Sequence, residues 1–454
     1  MTPKRLAFLW VILVAVFLST QVTIFLLQPS LEAQERIEKK SGDIRISPQH
    51  LRYNPNPGDY QKSCNDLFGS HQLQRFHNGT CLRHSLLNWA SCNIGSISID
   101  PSKIYGSVGG EPLNTVMNRS AEIEFLNFSK GSLLTQRPVF DQLKTLTLDP
   151  VMTNFLNSAV ISSDHRDRKK MIDDDPRANV TLLVRRPVYA NPCHALISMY
   201  NVYLVTQYFS AGERLTLDRI YWLDGHAYQK LDDIWDRLFQ TTPIHIKQIE
   251  ANHGHIQNAI LVNTASAIGD EGFGLYGWDE DGSLPKKKPC ANSTLDSFRN
   301  FVLKQYGIST KAPDEGEKSC NLTLLVRKNY VAHPRSNGRT DRTLANVRDD
   351  IAYLQSKYVN CKVTPVSFEE MEFQEQLKII SQSDVFVAVH GAGNIHVLFL
   401  PKHALFVEYF PRGFLRRRRF QYLAECLGIS YISKKAWIVT TSSDKKITVR
   451  LKPF

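Results

Sequence analysis

The stretch VAVHGAGNIHVLF, residues 387–399, interrupts an apolar run with one histidine and two closely spaced glycines. VFVAV, ending at Val389, has the continuous apolar character of a buried strand, whereas NIHVLFL can open a helix. His390, Gly391, Ala392 and Gly393 therefore fall on the turn between strand and helix. A turn at the mouth of a helix offers backbone N–H groups to an anion, and glycine allows the close approach this needs.

On either side of this turn, strand-like and helix-like runs alternate. LTLLVRK, KVTPVSF, ALFVEYF and SYISK read as strands, and RTLANVRDDIAYLQSKY, EMEFQEQLKIISQSD and RRRRFQYLAECLG as helices. Further toward the amino terminus, VTLLVRR and RIYWLDG are strand-like, and YQKLDDIWDRLF has helical spacing. NPCHALISMYNVYLVTQYF reads as a helix opened by the cap and first-turn chemistry of Asn191 and Pro192. A Gly/Pro/Lys-rich break, DEDGSLPKKKPC, and a helix candidate, TLDSFRNFVLKQYG, separate the two series. The pattern predicts an α/β protein with two Rossmann-like domains facing a cleft, residues 61–290 and 291–454, with ligands at the carboxyl ends of the strands. Residues 60–175 show no regular period and read as the start of the first domain, with surface loops.

The amino terminus predicts a membrane anchor. Lys4 and Arg5 precede 22 residues, 6–27, that carry no charge and span roughly 33 Å as a helix, enough to cross a bilayer core. That length exceeds the apolar region of a cleavable signal peptide. Basic residues on the short side keep residues 1–5 cytoplasmic and place the remainder in the lumen, with 28–60 as a stem. Six sequons, at Asn78, Asn118, Asn127, Asn179, Asn292 and Asn321, suit that topology. Eight scattered cysteines without a C-x-x-C pair suit an oxidising compartment and exclude a ribbon-type zinc site; Cys64, Cys81 and Cys92 are near enough in sequence to form a local staple.

A net charge of +11 raises the possibility of a nucleic-acid partner, but a lumenal chain meets none, and no basic and aromatic recognition motif is present. The excess suits anionic small molecules or a membrane surface. Asp279-Glu280-Asp281 and Asp173-Asp174-Asp175 follow no apolar strand and read as solvated loops, so no metal site is expected.

QEQLKIISQSDVFVAVHGAGNIHVLFLPKHALFVEYFP resembles the signature segment of glycosyltransferase family 61. LLVRKNYVAHPRSNGRTDRTLANVRDD is similar to the plant-type N-glycan core β-1,2-xylosyltransferases of that family, through AHPR and the R-x-L-x-N pattern of Arg342, Leu344 and Asn346. VYANPCHALISMYNVY and WLDGHAYQKLDDIWDRLF agree with the same subfamily, so the resemblance covers about residues 180–432. Asn394-Ile395 stands where the family usually has Leu-Thr, and Val347 where it often has Glu.

The resemblance implies a GT-B-like Golgi type II enzyme that transfers xylose with inversion from UDP-xylose to the core mannose of N-glycans, without a metal cofactor. A relative transferring N-acetylglucosamine to a protein-linked acceptor and a non-catalytic glycan-binding protein are the alternatives. The leaving diphosphate would be met by the turn at His390, Gly391, Ala392 and Gly393, and by Arg327 at a strand end and Arg342 at a helix start. Arg335 and Arg339 are weaker candidates from the same loop, and the run from Arg416 to Arg419 reads as a largely solvated patch. Asn346, one turn beyond Arg342, would orient that arginine or touch the donor. Glu408 interrupts a buried strand, where a carboxylate needs a partner, either the donor ribose or a cleft arginine. Inversion also needs a base for the acceptor hydroxyl, and His194, Asp224 and His226 are all candidates.

Overall fold

The structure is a computed structural model that describes residues 73–76, 81–84, 90–120, 122–135, 150–161, 179–186, 188–208, 216–250, 254–262, 293–309, 320–328, 342–411, 419–441 and 447–451. The expected anchor, the stem, both acidic triplets, Arg335, Arg339 and the run from Arg416 to Arg418 lie outside the described residues. Among the described residues, no helix is long and apolar enough to cross a membrane.

The first unit is built on a nine-stranded mixed sheet. Its strands are β1 (Leu73–Phe76), β2 (Cys81–His84), β3 (Ala90–Ile99), β6 (Leu133–Thr135), β7 (Ala159–Ile161), β8 (Val180–Val184), β9 (Leu217–Trp222), β10 (Ile244–His245) and β11 (His255–Val262); β4 (Ile104–Tyr105) and β5 (Asn127–Phe128) pair separately. Strands β11, β8, β9 and β10 run parallel in that order, and β3 joins β11 antiparallel. Helix α1 (Pro150–Asn157) covers one face of the sheet; α2 (Pro192–Tyr208) and α3 (Asp233–Phe239) lie on the other. The stretch expected to be loops thus supplies an antiparallel flank. Its short strands leave no long apolar run to read: β3, ASCNIGSISI, mixes serine, asparagine and glycine into the alternation and bends at Gly95.

After α4 (Ser293–Gln305), the second unit forms a seven-stranded sheet of β12 (Cys320–Leu325), β13 (Thr343–Leu344), β14 (Cys361–Val366), β15 (Val385–Val389), β16 (Leu405–Pro411), β17 (Ser430–Thr441) and β18 (Ile447–Arg450). Its helices are α5 (Val347–Lys357), α6 (Phe373–Ser381) and α7 (Arg419–Cys426). The parallel strands stand in the order β14, β12, β15, β16, β17. Every residue of β15 and β16 is buried, as strands covered on both faces require. The chain order reverses between β12 and β15, because β14 returns to one side of β12 and all later parallel strands add on the other. Such a reversal opens a crevice at the strands' carboxyl ends.

Two expectations change here. The helix expected across RTLANVRDD begins only at Val347, since Arg342 sits in the left-handed region at φ 64° and Thr343–Leu344 pairs with β18. The last strand continues past the expected SYISK to Thr441 and turns back antiparallel into β18.

The two sheets share one apolar core. Ile220, Trp222 and Ile260 from the first sheet, Phe298 from α4 and Phe386, Ala388 and Phe406 from the second belong to a single continuous cluster. The 3-10 segment Ala392–Phe399 packs between α2, α6 and α7 at its centre. Helix α2 is apolar on all sides because it is enclosed on all sides, from Ala195 to Val205.

A disulfide joins Cys320 to Cys361, which face each other at the start of β12 and β14. It lies outside the local staple expected of Cys64, Cys81 and Cys92; Cys92 is itself disulfide-bonded. Cys193 and Cys426 are buried thiols. The described sequon residues Asn118, Asn127, Asn179 and Asn321 are all exposed. Replacing both Cys320 and Cys361 with serine is expected to cost about 2–4 kcal/mol, given a closed loop of about 40 residues. Chemical denaturation of the two forms measures the difference.

Candidate active site

At the chain reversal of the second sheet, β12 and β15 deliver their carboxyl ends side by side, since Leu325 is in register with Ala388. Arg327 follows the first and His390 the second. A Cβ on Gly391 would collide with the Arg327 guanidinium, so the glycine leaves the room that this side chain occupies. Gly391 itself is extended, at φ 175°, and its requirement is spatial rather than conformational. Gly393 is held similarly, with a Cβ position only 2.7 Å from Leu325 Cδ2. Arg342 approaches from the far edge of the sheet and donates from Nη1 to the His390 carbonyl at 2.9 Å. The structure therefore brings Arg327, Arg342 and the turn from His390 to Gly393 to one place.

Two candidates from the same segment are occupied differently. Asn346 is the N-cap of α5 and its side chain accepts from the Arg348 and Asp349 N–H groups, which corrects its expected role beside Arg342. Glu408 is fully buried and, among the described residues, pairs with no arginine. Its Oε1 accepts from His390 Nδ1 at 2.7 Å and Asn394 Nδ2 at 2.9 Å, and its Oε2 accepts from the Tyr431 hydroxyl at 2.9 Å. A ribose cannot reach a carboxylate so enclosed. Of its two expected partners, neither holds; a histidine takes the place.

The three base candidates also separate. Asp224, at the end of β9, is 1% exposed and forms a two-pronged pair with Arg186, at 3.1 Å to Nε and 2.7 Å to Nη2. Burial alone would raise its carboxyl, but the Arg186 charge holds it well below the usual range. Arg186 also binds Asp232 at 2.6 Å and lies over the Trp222 ring at 3.4 Å. His226 stacks on Tyr189 with ring centroids 4.2 Å apart; both its nitrogens face acceptors, Glu124 Oε2 at 2.8 Å and the Arg186 carbonyl at 2.9 Å. Neither ring nitrogen of His226 thus presents a lone pair to a substrate. Asp224 and His226 are parts of an internal charge network.

His194 lies elsewhere. The Asn191 side chain caps α2 by accepting the Cys193 N–H at 3.0 Å, which sets His194 in the first turn on the wall of a small crevice lined also by Tyr189, Ser198 and Trp235. Arg419, at the start of α7, reaches across from the second unit with Nη1 3.7 Å from the Cys193 sulfur. Phe420, next in sequence, packs against the His390 ring at 5.6 Å. A short chain of contacts therefore links His194 in the first unit to His390 in the second. Sequence reasoning missed Arg186, Asp232, Glu124, Asn394 and Tyr431, and it treated Arg419 as largely solvated.

Parallel strands, a chain reversal and a guanidinium-lined glycine turn make this an α/β fold consistent with a GT-B-like glycosyltransferase. Residues 282–407 match the model of the family Glycosyltransferase 61, a span that takes in Arg327, Arg342 and the whole glycine turn. Over that span the chain is similar to family 61 glycosyltransferases, and plant xylosyltransferases are among its relatives. It is 24% identical to a β-1,2-xylosyltransferase of Oryza sativa subsp. japonica over 79% of this chain and 69% of that protein. A β-1,2-xylosyltransferase of Arabidopsis thaliana is 21% identical over 77% of this chain and 74% of its own length. An EGF domain-specific O-linked N-acetylglucosamine transferase of Gallus gallus is 25% identical over 57% of this chain and 46% of its own.

Two buried histidines set the expected acid sensitivity. Burial pushes His245, whose Nδ1–H donates to the Asp224 carbonyl at 2.8 Å, down to about 4, with the Arg186 charge adding to the effect. Burial likewise pushes His396, fastened to Gly393 and Gln376 within the 3-10 segment, down to about 4. Above pH 6.5 both are neutral, folded or unfolded, and cost nothing. Below it the unfolded chain takes up protons that the fold refuses, so stability falls between pH 6.5 and 4 by up to roughly 3 kcal/mol for each histidine. Denaturation midpoints across that range measure the slope, and His396→Gln is expected to flatten it.

Proposed function

We propose that this chain is an inverting glycosyltransferase that moves xylose from UDP-xylose to the core β-mannose of N-glycans in β-1,2 linkage, as a Golgi type II membrane protein. The observation that carries the site assignment is the seating of Arg327 against Gly391 at the chain reversal. In this reading the diphosphate lies on the turn from His390 to Gly393, with Arg327 and Arg342 supplying positive charge as the bond from the anomeric carbon to the diphosphate breaks. The acceptor hydroxyl attacks from the opposite face and gives its proton to His194, the candidate base on a crevice wall. Asp224 and His226 support that wall from behind through Arg186 and Tyr189.

The choice of xylose draws support from the extent of similarity. The two plant relatives match 79% and 77% of this chain, against 57% for the N-acetylglucosamine transferase at comparable identity. Transfer of N-acetylglucosamine to a protein-linked acceptor is the second reading, favoured by that third match.

Arg327→Ala and Arg342→Ala are each expected to weaken UDP binding by about 1.5–3 kcal/mol in titration calorimetry, the worth of a charged hydrogen bond. Gly391→Ala is expected to do the same to Arg327 indirectly, because the flexible guanidinium gives way before the backbone does; its melting temperature should stay near that of the parent. Unchanged affinity in all three would remove the diphosphate from this turn.

Mass spectrometry of an N-glycan acceptor incubated with UDP-xylose, UDP-N-acetylglucosamine and other nucleotide sugars, with and without a chelator, decides the donor. A pentose increment that persists in chelator is expected. Transfer of N-acetylglucosamine alone selects the second reading, and binding of the glycan with no UDP released from any donor leaves a glycan-binding role.

A further inference from the structure

The strand pair β4 and β5 has two residues on each side, with Ile104 opposite Phe128 and Tyr105 opposite Asn127. Opposed residues of an antiparallel pair share a face, and successive residues alternate between faces. The burial agrees, since Ile104 and Phe128 are enclosed whereas Tyr105 and Asn127 are exposed. The inner face is pinned to α1. The Phe128 ring meets Phe155 edge to face at 5.1 Å, and the Asn154 side chain accepts from the Phe128 N–H at 2.6 Å and donates to its carbonyl at 3.4 Å. Tyr105 and Asn127 are thereby held side by side on the outward face, with Cβ atoms about 4.5–5.5 Å apart.

Tyr105 is 62% exposed, well above Tyr228 at 43% and Trp437 at 42%. One exposed aromatic side chain needs no explanation by itself. What distinguishes this one is its neighbour: Asn127 opens the sequon Asn127-Phe128-Ser129, so an acceptor for an N-linked glycan stands directly across from the ring. Asn321, a sequon residue of β12, instead turns its Nδ2 to the Gln382 carbonyl at 3.4 Å. A sugar attached to Asn127 rises from the strand pair beside the phenol ring. Its C–H face is apolar and the ring face carries the negative side of the quadrupole, so contact between them takes apolar area of both out of water.

We propose that Asn127 carries an N-linked glycan whose first N-acetylglucosamine packs on the Tyr105 ring and clamps β4 to β5. In its attachment, Asn127 Nδ2 bonds to the anomeric carbon and the bond from that carbon to a lipid-linked diphosphate donor breaks. The diphosphate keeps the electron pair, and the amide gives up one proton to the attaching enzyme. A strand pair this short has little stability of its own, which is what the clamp supplies. The segment it closes, residues 104–128, reaches the support behind the crevice wall: Ser107 donates to the Gly225 carbonyl at 2.6 Å, and Glu124 is bonded to His226. The inference rests on the lumenal placement of the chain and is independent of the diphosphate site.

The test uses the full chain produced in a eukaryotic secretory host. Release of glycans by a peptide N-glycosidase, followed by peptide mass spectrometry, is expected to mark Asn127 as occupied, and Asn127→Gln should remove one glycan. In thermal melting of the glycosylated protein, Asn127→Gln and Tyr105→Ser are each expected to lower the midpoint by about 2 °C. Tyr105→Phe keeps the ring and should leave the midpoint unchanged. Because the two groups act through one contact, the double variant should lose no more than either single one. Ser129→Ala removes the sequon with Asn127 in place and carries the test if Asn127→Gln does not fold. Unchanged midpoints, or losses that add in the double variant, overturn the clamp. If other sequons are occupied while Asn127 is bare, this inference alone falls. If no sequon is occupied, the lumenal placement falls with it.

Discussion

A guanidinium fills the space that any side chain on Gly391 would take, and this single contact ties the end of β12 to the turn after β15. Both strands end at the point where the sheet reverses its chain order, the place at which neighbouring elements of an open α/β sheet diverge. Everything else at the site is arranged about that junction. Arg342 closes on the His390 carbonyl from the sheet edge, Gly393 lies against Leu325, and the 3-10 segment carries the backbone away into the shared core. Because the surrounding side chains are fully packed, the groups that would meet a ligand are held before it arrives.

The two units solve the problem of buried charge in different ways. In the first, Arg186 is shared by Asp224 and Asp232, with Trp222 beneath it and His226 clamped beside it, so that positive and negative charges neutralise one another inside the fold. In the second, the donors to Glu408 among the described residues are the Asn394 amide, the Tyr431 hydroxyl and one histidine. A network of the first kind is static, since removing any member strands another without water.

Much of this was legible beforehand. VFVAV is apolar throughout and LFVEYFP apolar but for Glu408 because parallel strands are covered twice, and that made the second sheet and the glycine turn readable from residue types alone. Asn191-Pro192 announced the start of α2 correctly. What failed to read had little local signature. The antiparallel flank consists of short strands whose pairing is set by distant residues, and Arg342 departs from a helical pattern because β18, a hundred residues later in the chain, claims Thr343 and Leu344. Asn346 was placed on the right helix but at its cap, where a side-chain oxygen is already engaged. TLLVR occurs at residues 181–185 and again at 323–327, each time at the strand beside a chain reversal, but the repeat matches Arg327 with Arg185 and gives no sign of Arg186.

Helix α4, which follows the Gly/Pro/Lys-rich break, does not belong to one unit only. Phe298 and Phe301 stack among Tyr200, Tyr203 and Phe239 of the first, while Asp296 is bonded to Lys402 of the second and Gln305 accepts from Arg237. A cut made anywhere near it would expose aromatic rings on both pieces. The halves of this molecule are consequently not interchangeable modules: swapping one for the counterpart in a distant relative demands a matching interface, and inherited changes in donor or acceptor preference must arise by substitution at the rim while the seam stays closed.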